Sequence, residues 1–538
     1  MRKILKPISK SGYLSSIILL LFVAIFLAFG YMVTQKNTSA NPRSAWDYFL
    51  LERDFLNQYA EIPDYGGYAY WVGKLGEMED PRLFSIYQAN FILWVGGIES
   101  QHPSEVNRTM IQKSADALLE NLYKGEGEWF EWIDQEVNVV QEFNWNPRSE
   151  AHIAYALLEA HRILDDERYL NAANQTLGAQ RQKNPAPPIT AEYTEGLDIG
   201  YRFPEHMGHL MQTVMSGSPE GKNYADAIDE YYRGDFGKEP HPFIEDAYSF
   251  LHGAAVVDKL LYAYLSKNEE AMIEARALYA GYTRQGHDDY SIFENNVSEV
   301  SDNGRDYYDK RLSMALILWS ETLDTRYRKD AIDMWYQSLR FWDKQDPYGF
   351  FVNLSQDRKT CFTINQPAMI MDLIPPEILS AKDHRKFWWN HQLRLLVRDP
   401  DYQWLDHNMK GIGVDPSSIR MHVPYGSRYG GVNVLPADCD DCFILEINYF
   451  SFKNGRATLK LADYFGNKVT ATFDSKVGFS PRGLLGWNWW SWMYYLTSAF
   501  IFILLFSYLY IKTLGWKGES LKKYKKNLKI KKKTHEKN

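Results

Sequence analysis

Cysteine is scarce in this chain: there are three in 538 residues, Cys361 and the pair Cys439 and Cys442. A dense disulfide scaffold is therefore excluded, and stability must come from a hydrophobic core. A four-ligand zinc site lacks a second Cys or His pair near Cys439 and Cys442. That pair precedes a strand-like run and does not open a helix, which argues against a thioredoxin-like redox role. Outside the cytoplasm it could close a short disulfide. Also missing are a phosphate-cradling glycine loop, a dinucleotide fingerprint and a Ser-His-Asp elbow. No cofactor is implied.

Long charge-free apolar runs are few, and their placement is informative. One spans 12–33, long enough at about 1.5 Å per residue to cross a bilayer core of about 30 Å. The other lies within 487–511, with Trp487, Trp489, Trp490 and Trp492 at one interface and Trp516 at the other. Arg2, Lys3, Lys6 and Lys10 give residues 1–12 a local charge of +4, and eleven Lys against two Glu give 512–538 a charge of +9. Subtracting both from −8 leaves about −21 on the middle. Basic residues flank both runs on the side away from the middle. The expectation is two membrane spans, cytoplasmic termini and an extracytoplasmic centre. Cleavage of the first run after Thr38-Ser39-Ala40 would leave the centre on the same side. Acidity of the centre excludes a nucleic-acid partner. Glycosylation sequons at Asn37, Asn107, Asn174, Asn296 and Asn353 all fall in this exported part.

Within the centre the apolar spacing is helical. Twelve helices are predicted, at 81–97, 104–123, 149–164, 167–183, 203–215, 222–233, 245–265, 268–284, 307–323, 326–342, 365–373 and 383–397. They fall into pairs that resemble one another. Ile153 to Leu158 is apolar nearly all round, and Leu164-Asp165-Asp166-Glu167-Arg168-Tyr169 follows. Leu312 to Leu318 is equally apolar, and Leu323-Asp324-Thr325-Arg326-Tyr327 follows. A helix apolar all round belongs between two layers, and the amphipathic helix after it belongs on the outside. Ala331, Met334, Trp335, Leu339 and Trp342 form such an outer stripe.

Six buried-then-amphipathic hairpins resemble the six-hairpin (α/α)6 toroid superfamily of glycoside hydrolases, polysaccharide lyases and sugar epimerases. The resemblance rests on repeat style over about 300 residues, and an open superhelical array is the alternative. It implies a mainly α fold with an inner and an outer ring, and a cavity walled by inner-helix ends and the loops between hairpins. The chain then divides into 1–11, cytoplasmic; 12–33, membrane; 34–80, connector; 81–398, toroid; 399–486, small β module; 487–511, membrane; and 512–538, a Lys-rich tail. In the β module, Phe443–Phe452 should turn at Asn454-Gly455 and return along 457–461, with a further strand at 469–473.

Four loops before expected inner helices carry acids, amides, His and aromatic rings. The first runs from Glu142 through Asn144, Trp145 and Asn146 to Ser149, Glu150 and His152. The second holds Asp198, Tyr201, Arg202, Glu205, His206 and His209. The third holds Asp246, Tyr248 and His252, and the fourth Asp302, Arg305 and Tyr307. Each also reads as a plain turn or helix start: Ser149 caps, Glu245 and Asp246 favour a first helical turn, and Asp302-Asn303-Gly304 is turn chemistry. Glu142, Glu205, Asp246, Asp302, Tyr248 and His252 are the expected proton-transfer groups. Asn144, Trp145, Asn146, Tyr201, Arg202, His206, Arg305 and Tyr307 are the expected substrate contacts, with rings for stacking on sugar faces and forks for their hydroxyls. No metal site is predicted, since His206 and His209 have no third ligand fixed by spacing. The expectation is a membrane-anchored glycan-processing enzyme, a hydrolase with two facing carboxylates or a uronate lyase or epimerase with a Tyr or His base. A non-catalytic glycan-binding or scaffolding ectodomain is the alternative, and the sequence leaves the oligomeric state open.

Overall fold

The computed structural model describes residues 43–134, 139–142, 147–183, 260–287, 304–343 and 370–475, less single positions within these ranges, plus isolated positions elsewhere. Both apolar runs lie outside the described residues; among these, no helix is long and apolar enough to cross a membrane.

The described helices are α1 (Ala45–Tyr59), α2 (Ser85–Gln101), α3 (Glu105–Ala117), α4 (Pro147–Leu164), α5 (Glu167–Lys183), α6 (Glu269–His287), α7 (Gly304–Thr322) and α8 (Thr325–Ser338). Residues 260–264 are the end of a further helix preceding α6. The pairs α2/α3, α4/α5 and α7/α8 pack as hairpins. Every residue of α2 from Ser85 to Glu99 is buried. In α8 burial is confined to the stripe Ala331, Met334, Trp335 and Ser338. These are the inner and outer helices that the apolar patterns require.

One corner is used three times. Asp165, Lys267 and Leu323, each just past an inner helix, take φ of 57°, 54° and 54°. The left-handed residue ends one helix, and the next residue caps the following one. Asp166 Oδ1 accepts from Arg168 N (2.9 Å), Asp324 Oδ1 from Arg326 N (2.9 Å) and Asn268 Oδ1 from Ala271 N (3.1 Å).

Two inner helices can be compared in direction. His152 of α4 bonds Asn90 of α2, and further along, Gly96 of α2 lies against Glu159 and Ile163 of α4. Contacts advance together, so the helices are parallel. The hairpin expected at 203–233 lies outside the described residues. The one expected at 365–397 does not form: 370–376 carries no regular structure, and Glu377–Phe387 and Asn390–Arg398 are strands. Leu393, Leu395 and Val397 are buried at a spacing of two. Their neighbour Leu396 had lent the run a helical spacing as well, and pairing on both sides decides in favour of strand.

Closure falls to α1, within the segment expected to be a connector. A capping box of Ser44 and Asp47 starts it. Phe49 meets Trp94 of α2 at 5.9 Å and Trp335 of α8 at 6.5 Å between ring centroids. Residues 370–373 bridge the same gap: Ile370 N reaches Ser313 Oγ of α7, and the Gln101 amide of α2 bonds Met371 O and Leu373 N.

Short strands β1 (Val72–Gly73), β2 (Leu83–Phe84), β3 (Tyr123–Gly125), β4 (Glu128–Asp134), β5 (Val139–Glu142) and β6 (Arg358–Lys359) decorate the helical part. The C-terminal part is β7 (Glu377–Phe387), β8 (Asn390–Arg398), β9 (Tyr402–Trp404), β10 (His407–Met409), β11 (Val414–His422), β12 (Gly426–Pro436), β13 (Cys442–Ser451), β14 (Gly455–Asp463) and β15 (Lys468–Ser475). It starts at Glu377, earlier than 399. Antiparallel sheets ordered β12-β13-β8-β7 and β11-β14-β15 enclose a second core around Leu395, Ile447 and Leu459. The strand expected at 469–473 is present. The hairpin expected around Asn454-Gly455 is absent, since β13 and β14 belong to different sheets; Asn454 itself lies outside the described residues. Both strands carry inward-facing residues that must reach one core from opposite sides, so the chain crosses between layers. Cys439 and Cys442 form a disulfide where β13 begins.

Candidate functional site

Polarity is unevenly distributed along the inner helices. Ser85, Gln88 and Asn90 lie in the first turns of α2, Glu150 and His152 in those of α4, and Asp309, Lys310 and Arg311 in the first half of α7; all are buried. Beyond them come Phe91–Val95, Ile153–Leu158 and Met314–Leu318, also buried and apolar. The polar groups are held in place by specific bonds. His152 Nε2 and Asn90 Oδ1 are 2.6 Å apart. The Gln88 amide accepts from Tyr68 N (3.0 Å) and donates to Tyr68 O (2.7 Å). Asp309 accepts from Ser338 Oγ at 2.6 Å, and Arg311 Nε donates to Asp330 at 2.8 Å. Tyr279 also bonds Asp330, and its phenol is pushed well above the usual range by burial and then by that carboxylate.

The other end of these helices is sealed. Tyr402, Trp404, Leu405, Met409 and Ile412, from β9 to the start of β11, belong to the helical core. Ser100 Oγ of α2 donates to Gln403 O (3.0 Å), and Ser320 Oγ of α7 accepts from Lys410 N (3.0 Å). Tyr264 Oη donates to Asn408 O (2.6 Å) and Trp319 Nε1 to Gly411 O (2.9 Å). C-terminal ends of three inner helices thus converge on one buried segment. The opposite end is where the inner helices begin.

At that end β4 pairs with β2, which leads directly into α2, and with β5, which leads toward α4. Phe130 is opposite Glu142 but Trp132 is opposite Gln141, so Glu131 is the extra residue of a bulge. Bulges re-aim side chains and gather beside active sites. Glu131 is half-buried, and burial raises its carboxyl above the usual value. Next to it the half-buried Trp132 ring has the Arg82 guanidinium 4.9 Å from its centroid. Asp80 fixes that guanidinium at 2.6 Å. A carboxyl raised by burial and, one residue along the strand, a flat ring are groups that acid–base chemistry on a sugar can use.

The sequence-predicted site residues are mostly beyond reach of this description. Asn144, Trp145, Asn146, Tyr201, Arg202, Glu205, His206, Asp246, Tyr248, His252 and Asp302 lie outside the described residues. Glu142 is placed by its backbone at the end of β5, and Arg305 and Tyr307 by theirs in the first turn of α7. Glu131 and Asn90 went unnoticed in the sequence; the aromatic and β-branched residues gathered at Trp129, Phe130, Trp132 and Ile133 were the available signal for β4. Among the sequons, Asn107 is unsuited to a glycan: it is fully buried, and its amide donates to Glu99 (3.2 Å) and His102 O (3.0 Å). The three carboxylates among the described residues able to share a metal ion, Asp372, Asp399 and Asp463, lie at the sealed end.

No protein-family model and no curated protein matches this sequence. Among solved structures the chain is similar to the cellobiose 2-epimerase from Spirochaeta thermophila, at 12% identity over 57% of this chain and 85% of that one, with TM-score 0.44. It is similar to a D-mannose isomerase at 10% identity, over 61% and 95%, with TM-score 0.44. A family 76 glycoside hydrolase from a bovine Bacteroides thetaiotaomicron strain has 12% identity, over 55% and 69%, with TM-score 0.41. With every one of these TM-scores under 0.5, the likeness carries nothing about reaction or substrate.

Proposed function

We propose that this chain is a carbohydrate-active enzyme held outside the cytoplasm by its two apolar runs, acting on a glycan at the end of the ring where the inner helices begin. The observation that carries the reading is Glu131, half-buried on a bulge beside Trp132, on the strand next to Glu142. A carboxyl raised by burial can donate a proton to a glycosidic or ring oxygen, and a second carboxylate can serve as base or nucleophile. The polar first turns of α2, α4 and α7 supply hydrogen-bonding groups beneath that mouth, and their N-termini add partial positive charge suited to an acidic glycan. What the solved structures are named for, epimerisation, isomerisation and glycoside hydrolysis, falls within the same range of sugar chemistry.

The test is turnover by the full chain in detergent or nanodiscs against a panel of neutral and acidic glycans. Glu131→Gln, Glu142→Gln and Asp246→Asn should each be compared with the parent. Loss of about 100-fold or more in at least one of the first two, at unchanged melting temperature, is expected. A parent protein that neither turns over nor binds any glycan sinks the reading. Full activity in all three variants removes these acids from it. Protease added outside intact cells should digest the centre and spare the Lys-rich tail.

A further inference from the structure

At the sealed end, three aspartates from distant parts of the sequence meet. Asp372 follows the bridge from α7, Asp399 follows β8, and Asp463 ends β14. They are 0%, 5% and 2% exposed, and a carboxylate oxygen of each lies within 4.8 Å of the others. Backbone amides hold them apart from solvent. Asp372 accepts from Ile374 N and Ile412 N, both at 3.0 Å, and Asp399 Oδ2 from Gly413 N at 2.5 Å. Asp463 accepts from Asn467 N (2.9 Å) and Asn467 Nδ2 (2.7 Å).

Two buried polar atoms here have no hydrogen-bond partner among the described residues: Asp399 Oδ1 and the Tyr402 hydroxyl, which is 1% exposed. The charges of Asp372 and Asp399 both act on the Tyr402 phenol, which burial first of all holds well above its usual range. Among the described residues Arg328 is the one cation acting on Asp399, from its place between the Trp319 and Tyr464 rings, at 5.0 and 5.6 Å from their centroids. Three carboxylates against one guanidinium leave a net deficit of positive charge in a dry site, a costly arrangement unless something else neutralises it. Burial pushes all three carboxyls up, Asp372 to about 7 with the charge of Asp401 adding to it; at Asp399 and Asp463 the neighbouring aspartates of the cluster add to it.

The geometry points to a structural calcium site formed by Asp372, Asp399 and Asp463, pinning the helical ring to the β region. Oxygen ligands alone select a hard cation over zinc or copper. Oxygens sharing one calcium lie up to about 5 Å apart, since each bond is about 2.3–2.6 Å. Magnesium prefers to keep several waters, and so dry a site has no place for them. The position is remote from the ring mouth, so the ion has no part in the proposed sugar chemistry and the inference stands apart from it.

The experiment uses the full chain stripped of metal with EDTA and desalted. Calcium chloride should bind at one ion per chain in a calorimetric titration and raise the melting temperature by a few degrees. Asp399→Asn and Asp463→Asn should each abolish the shift. Glu377→Gln, which removes an exposed charge from the same β region, should retain it. Elemental analysis of the untreated protein gives the answer even where neither aspartate variant folds: one calcium per chain supports the site. No calcium-dependent shift and no bound ion overturn it, the carboxyls then sharing protons instead. An equal response to magnesium chloride overturns the choice of calcium.

Discussion

The two ends of the helical ring are built from the same helices and are opposite in character. Where inner helices begin, Asn90, His152, Asp309 and Arg311 are buried among bonds to side chains of neighbouring helices. Where they end, backbone carbonyls of 403–411 receive the bonds and Trp404 and Leu405 fill the bore. One end is organised to present polar groups and the other to exclude water. A fold that places both on parallel helices separates chemistry from stability, and that separation can be tested.

Tryptophan occurs at both ends, which permits a direct comparison. Trp404→Ala at the sealed end removes a side chain 1% exposed and should cost about 3–5 kcal/mol in urea unfolding. Trp132→Ala at the mouth loses the Arg82 contact, the Phe84 ring at 6.2 Å and half the burial of a Trp, about 1–2 kcal/mol, and should lower glycan affinity as well. Similar stability losses in the two variants would break the contrast.

Acidity separates the ends next. In the metal-free protein, Asp372 has a folded pKa of about 7 against 3.8 unfolded. Its contribution is fully present below pH 3.8 and is lost as pH rises through 7. Urea midpoints in EDTA should therefore fall between pH 4 and 7, by up to roughly 1.4 kcal/mol per pH unit for each such group. Arg328, Asp401, Lys410, Tyr264, Tyr336 and Tyr402 are among the other titratable groups nearby. A flat profile would show that the charges are already neutralised.

Glycine substitutions should give small effects, with opposite signs. Gly413 has φ +95° beside the aspartates, and a Cβ there would sit 3.0 Å from Arg328 Nη1. Gly413→Ala should cost about 1–2 kcal/mol. Gly178, inside α5 and away from both ends, has open space around it, and Gly178→Ala should gain about 0.5–1 kcal/mol. Thermal melts of the pair read the difference.

The hairpins were legible because burial on two sides leaves long apolar runs at helical spacing, as in Met314–Leu318. The Arg-Tyr repeated after two of the three corners, at Arg168-Tyr169 and Arg326-Tyr327, was legible for the same local reason. The run 390–398 was not, since Leu393, Leu396 and Val397 satisfy a helical spacing while Leu393, Leu395 and Val397 satisfy a strand; only partners far along the chain decide between them. Asn454-Gly455 misled because a local turn signal cannot tell a return within one sheet from a step to another. Asp372, Asp399 and Asp463 are separated by two whole stretches of strand, and no spacing rule joins them. Glu131 acquires its character from a bulge, which depends on the register of β5.

The bond from Ala45 N to Phe465 O, 2.9 Å, and that from Trp46 N to Asn467 Oδ1, 3.2 Å, fasten the start of α1 beside the aspartates. On the proposed topology this fixes an orientation. Eleven residues, 34–44, separate the first apolar run from α1, and eleven, 476–486, separate β15 from the second. Neither leash reaches further than about 40 Å when fully drawn out. The first leaves from the sealed end and the second from the β region packed against it. Held by two short leashes on one side, the ring would stand on the bilayer with its mouth turned outward. Its reach would then be toward material at some height above the lipid surface, and lipid headgroups themselves would be behind it.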